Sequence, residues 1–115
     1  MGHEEFHQVQ EDLRAPYRAL REAIPAVMSA YSELSGTAMA EGALTAKTKE
    51  LIALAIAITR ECDGCIAAHA KGAARQGATT EEVAEMIGVA ISMNGGPGTV
   101  WGPRALVAFG EFFGG

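Results

Sequence analysis

Polar and apolar positions alternate along this chain with the period of helices. Phe6, Val9, Leu13, Tyr17 and Leu20 recur at intervals of three and four between Glu4 and about Glu22, with Pro16 the point where that helix would bend or break. Pro25 suits the first turn of a second helix, which carries Val27, Met28, Tyr31 and Leu34 and ends near Ser35-Gly36. An irregular stretch through Glu41-Gly42 leads to Thr45, whose hydroxyl can cap the free amides of a third helix.

The run from Leu51 to Ile58 alternates large residues with alanine, as a strand would. It nevertheless predicts a helix: Ala46-Lys47-Thr48-Lys49-Glu50 precedes it without a turn signal, alanine is a poor strand former, and no other segment offers a strand to pair with. Apolar on nearly every side, that helix belongs at the centre of a domain or of an oligomer. A fourth helix is expected from about Asp63 to Gln76, stopped by Gly77 and rich in small residues. Thr79-Thr80-Glu81-Glu82 has the form of a capping box opening a fifth, through Val83, Met86, Ile87, Ala90 and Ile91, which Asn94-Gly95-Gly96-Pro97-Gly98 ends. The last carries Leu106, Val107, Phe109, Phe112 and Phe113, an aromatic stripe suited to core or subunit contact. The fold class is all-α, one domain over residues 1–115 with about six helices, and no repeat, low-complexity tract or linker divides it.

Composition sharpens this picture. The hydrophobic share is 49% and there are 14 glycines, so apolar residues and glycine together exceed the roughly 45 to 50% of ordinary domains, a surplus that points to contact with another subunit. Fourteen acidic against nine basic side chains leave a net charge of -5, with no basic face for nucleic acid. The longest apolar run is far short of a membrane span. Met1-Gly2-His3-Glu4-Glu5 is acidic and leads into no hydrophobic stretch, unlike a secretory signal, so a cytoplasmic location is the expectation.

The residues able to do chemistry cluster in one short stretch. Cys62-Asp63-Gly64-Cys65 places two thiols at a helix start, where they can close a small ring and reopen it. So short a loop would be a poor staple, and a reducing compartment would keep an ordinary pair open. Helix amides favour a thiolate in the first turn, whereas the Asp63 carboxylate opposes one unless, as a cap, it points into those amides. His69 follows Cys65 by four residues, on the same helical face, placed to accept its proton. Glu50 enters the apolar helix twelve residues before Cys62 and needs a partner there, unless it is the last solvated charge of the Lys47-to-Glu50 cluster.

Glu50, Cys62, Cys65 and His69 together read Glu-x11-Cys-x2-Cys-x3-His. With the lead-in at residues 44–55 and Gly-Ala-Thr-Thr-Glu-Glu-Val at 77–83, the pattern resembles the carboxymuconolactone decarboxylase-like superfamily, in its alkylhydroperoxidase D-like branch. The resemblance runs from about Ala43 to Ala108, behind N-terminal helices over residues 4–40. It implies an all-helical subunit of a homo-oligomer, trimer or hexamer, that reduces peroxide or disulfide substrates at the expense of a dithiol reductant, in antioxidant defence and without a metal or organic cofactor. By position Cys65 resembles the attacking thiol, Cys62 the resolving thiol, and His69 and Glu50 the proton relay. Gly64 departs from the pattern, since histidine is common before the second cysteine in that branch.

Other readings compete. Two thiols and an imidazole are zinc ligands, but the set is one short unless Glu50 joins it. His3-Glu4-Glu5-Phe6-His7 matches a helical zinc-protease motif, at a terminus and in too short a chain for the usual cleft. Decarboxylation of a lactone acid is the chemistry that names the superfamily, yet it does not depend on a cysteine pair. A non-catalytic oligomeric scaffold is the remaining alternative. The Asn94-to-Gly98 turn lacks the lysine and strand of a phosphate loop and reads as a helix stop.

Overall fold

A computed structural model describes residues 4–114, and all regular structure among them is helical: α1 (Glu5–Ala23), α2 (Pro25–Met39), α3 (Ala46–Thr59), α4 (Asp63–Arg75), α5 (Thr80–Asn94) and α6 (Gly98–Phe113). Local chemistry sets most of the boundaries. Pro25 forces Ile24 out of the helical region, to φ -133° and ψ 64°, so one residue both ends α1 and begins α2. The Thr45 side chain accepts from the Thr48 amide, 3.1 Å, and starts α3. Thr79 and Glu82 form the full capping box of α5, and Gly77 ends the preceding turn at φ +85°.

Pro16 does not break α1, which runs unbroken across it. The hydrogen bond it removes is the one to the Asp12 carbonyl, in an exposed stretch where water can take the amide's place. Gly98, read from sequence as part of a stop, instead opens α6. It is buried, and with Gly102 it lets α6 lie close against α5: a Cβ on Gly98 would sit 3.0 Å from the Ile91 Cα, and one on Gly102 2.7 Å from the Ile87 side chain.

Helix α4 lies at the centre, packed against α3, α6 and α1, while α5 closes the far side against α3 and α6. Its buried Ala67, Ala70 and Ala73 allow the close approach that its composition predicts, and Ile66 supplies the bulk. Around it are Leu54 and Ile58 from α3, Val83 from α5, Phe109 from α6 and Phe6 from α1. The core therefore takes one face of α3 only: Ile52 and Ile56 remain 45% and 56% exposed. No residue of α2 is buried. The radius of gyration, 14.5 Å, exceeds the roughly 13 Å of a compact chain this long, as expected with one helix standing clear of the core.

At the other end of the bundle Glu111 on α6 reaches the start of α1. Its carboxylate accepts from the Phe6 and His7 amides at 2.9 to 3.1 Å and from the His7 ring at 2.9 Å. Glu4 makes no capping bond, so the cap of α1 comes from the opposite end of the sequence.

Candidate redox site

The turn between α3 and α4 builds the site. Glu61 takes up a left-handed φ of +53°, the place usually filled by glycine after a helix, and the Cys62 amide then donates back to the Ala57 carbonyl at 3.2 Å. Cys62 thereby closes α3, and its Sγ accepts from the Cys65 amide as the N-cap of α4. The cap is the cysteine and not Asp63, which becomes the first helical residue, exposed and with no hydrogen bond accepted by its carboxylate among the described residues. The two cysteines are joined as a disulfide, with Cα atoms 5.3 Å apart.

From there α4 presents Cys65 and then His69 along the stripe that faces α3. The His69 Nδ1 lies 2.8 Å from the Glu50 Oε1. A carboxylate only accepts hydrogen bonds, so Nδ1 is the donor and Nε2 carries the lone pair available to take a proton. Both side chains are mostly enclosed, His69 at 30% and Glu50 at 18% exposure. The charged cluster that precedes Glu50 divides: Lys47 pairs with Glu82 at 2.9 Å, Lys49 donates to the Ala38 and Ala40 carbonyls at the end of α2, and Glu50 alone turns inward.

Cys62, Cys65 and His69 line one cleft of about 390 Å³, whose remaining walls are Ala53, Ile56, Ala57 and Arg60. Cys65 is exposed to it more fully than Cys62. The α3 residues were not singled out from sequence, although positions 53, 56, 57 and 60 share one helical face and that face also holds Glu50. Reading the apolar run as a helix with two faces finds them. Arg60 has no ion-pair partner among the described residues and sets a positive charge at the rim.

The zinc-protease motif of the N-terminus is not assembled in this way. His7 is held by Glu111, away from the cleft, and His3 lies outside the described residues. Among the described residues no group of three or more His, Cys, Asp or Glu side chains is arranged to hold a metal ion, and no helix is long and apolar enough to cross a membrane.

Comparison with known proteins agrees with this architecture. The sequence profile of the carboxymuconolactone decarboxylase family matches residues 25–108. The chain belongs to that family. An uncharacterised protein of Cupriavidus necator is 40% identical over 98 residues, 85% of this chain and 87% of the relative. An uncharacterised protein of the cox locus of Paracoccus denitrificans is 42% identical over 85 residues, 74% and 77% of the two chains. The crystal structure of the apo form of a carboxymuconolactone decarboxylase family protein from Legionella pneumophila superimposes with a TM-score of 0.93 at 38% identity, covering 96% of this chain and 99% of that one.

Proposed function

We propose that this member of the carboxymuconolactone decarboxylase family is a thiol-dependent peroxidase or disulfide oxidoreductase of the alkylhydroperoxidase D-like kind. The observation that carries the reading is a disulfide-forming pair in an open cleft beside an imidazole whose far nitrogen is held by a carboxylate. Its chemistry is complete in the side chains themselves, so it needs no metal or organic cofactor.

With the pair reduced, His69 Nε2 takes the Cys65 proton and the thiolate attacks the distal peroxide oxygen. The O–O bond breaks, Cys65 becomes a sulfenic acid, and the imidazolium returns the proton to the departing alkoxide. The Cys62 thiol then attacks the sulfenic sulfur and releases water as the disulfide closes. A dithiol reductant resets the pair by two exchange steps, itself becoming a disulfide. Glu50 keeps His69 in the one tautomer that serves this sequence. The apolar wall of Ala53, Ile56 and Ala57 suits an organic hydroperoxide or a partner disulfide. A cycle of this kind runs where dithiols are abundant, as in a cytoplasm.

The unburied α2, with Val27, Tyr31 and Leu34 each 60% exposed or more, together with Ile52 on α3, supports a homo-oligomer, trimeric or hexameric, in which these faces meet a second copy. The redox reading is tested by incubating reduced protein with cumene hydroperoxide and following thiols, intact mass and turnover with dithiothreitol. Loss of both thiols with a mass decrease of two hydrogens, reversed by the dithiol in repeated cycles, is the expected result. A stable sulfinic acid on one cysteine with the other still free counts against it.

A further inference from the structure

We infer that Gly72 is a positioning residue for this site, its missing side chain being the space in which the Glu50 carboxyl reaches His69; the inference rests on the redox reading above. Cys65, His69 and Gly72 follow one another at spacings of four and three on the stripe of α4 that faces α3, with Cys62 at the N-cap just before them. Three carry the chemistry and the fourth carries no side chain. A Cβ at Gly72 would collide with Glu50, and the three nearest atoms to it are the carboxyl carbon and both of its oxygens. All three belong to the end of that one side chain.

The helix itself gives no reason for a glycine there. Glycine is a poor helix former next to alanine, and α4 uses alanine at 67, 68, 70, 73 and 74. Among the described residues the glycines with positive φ are Gly77 and Gly95, so the backbone at Gly72 does not require glycine. What the position provides is access: Glu50 comes from the second turn of α3, lies across the α4 backbone at Gly72, and meets His69 Nδ1 at 2.8 Å. Because the obstructed atoms are the free end of a flexible side chain, a methyl group at 72 leaves the helices packed and displaces the carboxyl. His69 then loses the acceptor that sets its tautomer.

The experiment compares Gly72→Ala, Glu50→Gln and the double variant in the full chain. Two readouts are used: the His69 ring nitrogen shifts by NMR across pH, and the pH profile of peroxide-driven oxidation of the reduced pair. Gly72→Ala is expected to keep its helicity and a melting temperature at or above the parent's. It should shift the His69 signals as Glu50→Gln does and slow oxidation by the same factor, roughly tenfold or more, and the double variant should lose nothing further. Parental His69 signals and rate in Gly72→Ala, or losses that multiply in the double variant, overturn the assignment. Should Gly72→Ala fail to fold, Gly72→Ala/Glu50→Ala must fold, because the obstruction has been removed; its failure is equally decisive. If the parent oxidises neither with peroxide nor with a disulfide, the redox reading falls, while the NMR comparison still decides whether Gly72 seats Glu50.

Discussion

The Cys65 amide donates to the Sγ of Cys62 at 3.2 Å, so the first sulfur of the pair caps the helix that carries the second. The two thiols are thus supported by different devices. Cys62 has the open amides of α4, and Cys65 has the imidazole one turn further along.

That difference predicts a selective response. In Cys62→Ser, where only Cys65 remains, replacing His69 by Gln should slow iodoacetamide alkylation and alter its pH profile. In Cys65→Ser, where only Cys62 remains, the same replacement should leave alkylation within about twofold of its parent, since the amides of the cap are untouched. Equal effects on both thiols would place His69 in a general structural role. Peroxide turnover should vanish in Cys65→Ser, whereas Cys62→Ser should stop after one oxidation.

The left-handed Glu61 bears on stability. An L side chain at φ +53° costs about 1 kcal/mol relative to the ordinary helical region. Glycine relieves that strain while adding freedom to the unfolded chain, so Glu61→Gly should raise stability by roughly 0.5 kcal/mol. Urea titration of the oxidised protein measures it, and a loss of stability would show that the Glu61 side chain makes a compensating contact.

Glu82 links stability to pH. Its hydrogen bond from Lys47, reinforced by the Thr79 amide, holds its carboxyl below the ordinary value of 4.5. A group whose folded pKa is depressed contributes stability above its unfolded pKa and loses it as pH falls through the folded one. Glutamine keeps the cap but not the charge. Glu82→Gln should therefore be less stable than the parent at pH 7, with the difference closing below about pH 4.5 as the parent carboxylate takes up its proton. A gap that persists unchanged to pH 3 in thermal melts would assign it to packing.

Much of this was legible in the sequence where a local rule operates. Thr45, Gly77 and the Thr79/Glu82 box each act through a few neighbouring atoms, so their roles follow from residue type and spacing. The stripe of Cys65 and His69 was visible for the same reason. For Glu50 the local pattern leaves two readings, an inward carboxylate or the last solvated charge of its cluster, and the resemblance selects the first; its bond to His69 depends on how α3 crosses α4, which no local pattern specifies. Gly72 passed as one small residue among many, and the signal that distinguishes it, a glycine where alanine would serve the helix better, gains meaning only once Glu50 is seen beside it. That α1 continues past Pro16 is not legible locally, because the exposure that makes the missing hydrogen bond tolerable is a tertiary property.

The exposed apolar residues of α2 and α3 predict association. Light scattering at micromolar concentration should give a mass three or six times that of the 12.0 kDa chain, and Tyr31→Glu with Leu34→Glu should reduce it without loss of helicity, since neither side chain is buried within the subunit. A parent protein that remains a monomer would mean that these faces stay open.

The bond from Glu111 to the first turn of α1 spans more than a hundred residues, and it gives the chain an order of assembly during synthesis. Helix α1 leaves the ribosome before the other five helices, yet its opening amides lack the Glu111 carboxylate until α6 has emerged. The turn that carries the two cysteines is made well before that, but α4 lacks both its α6 neighbour and a secured α1 until α6 has followed. A nascent chain halted before Glu111 would therefore carry both cysteines on an α4 that has its α3 wall but not the helix that braces it from the other side.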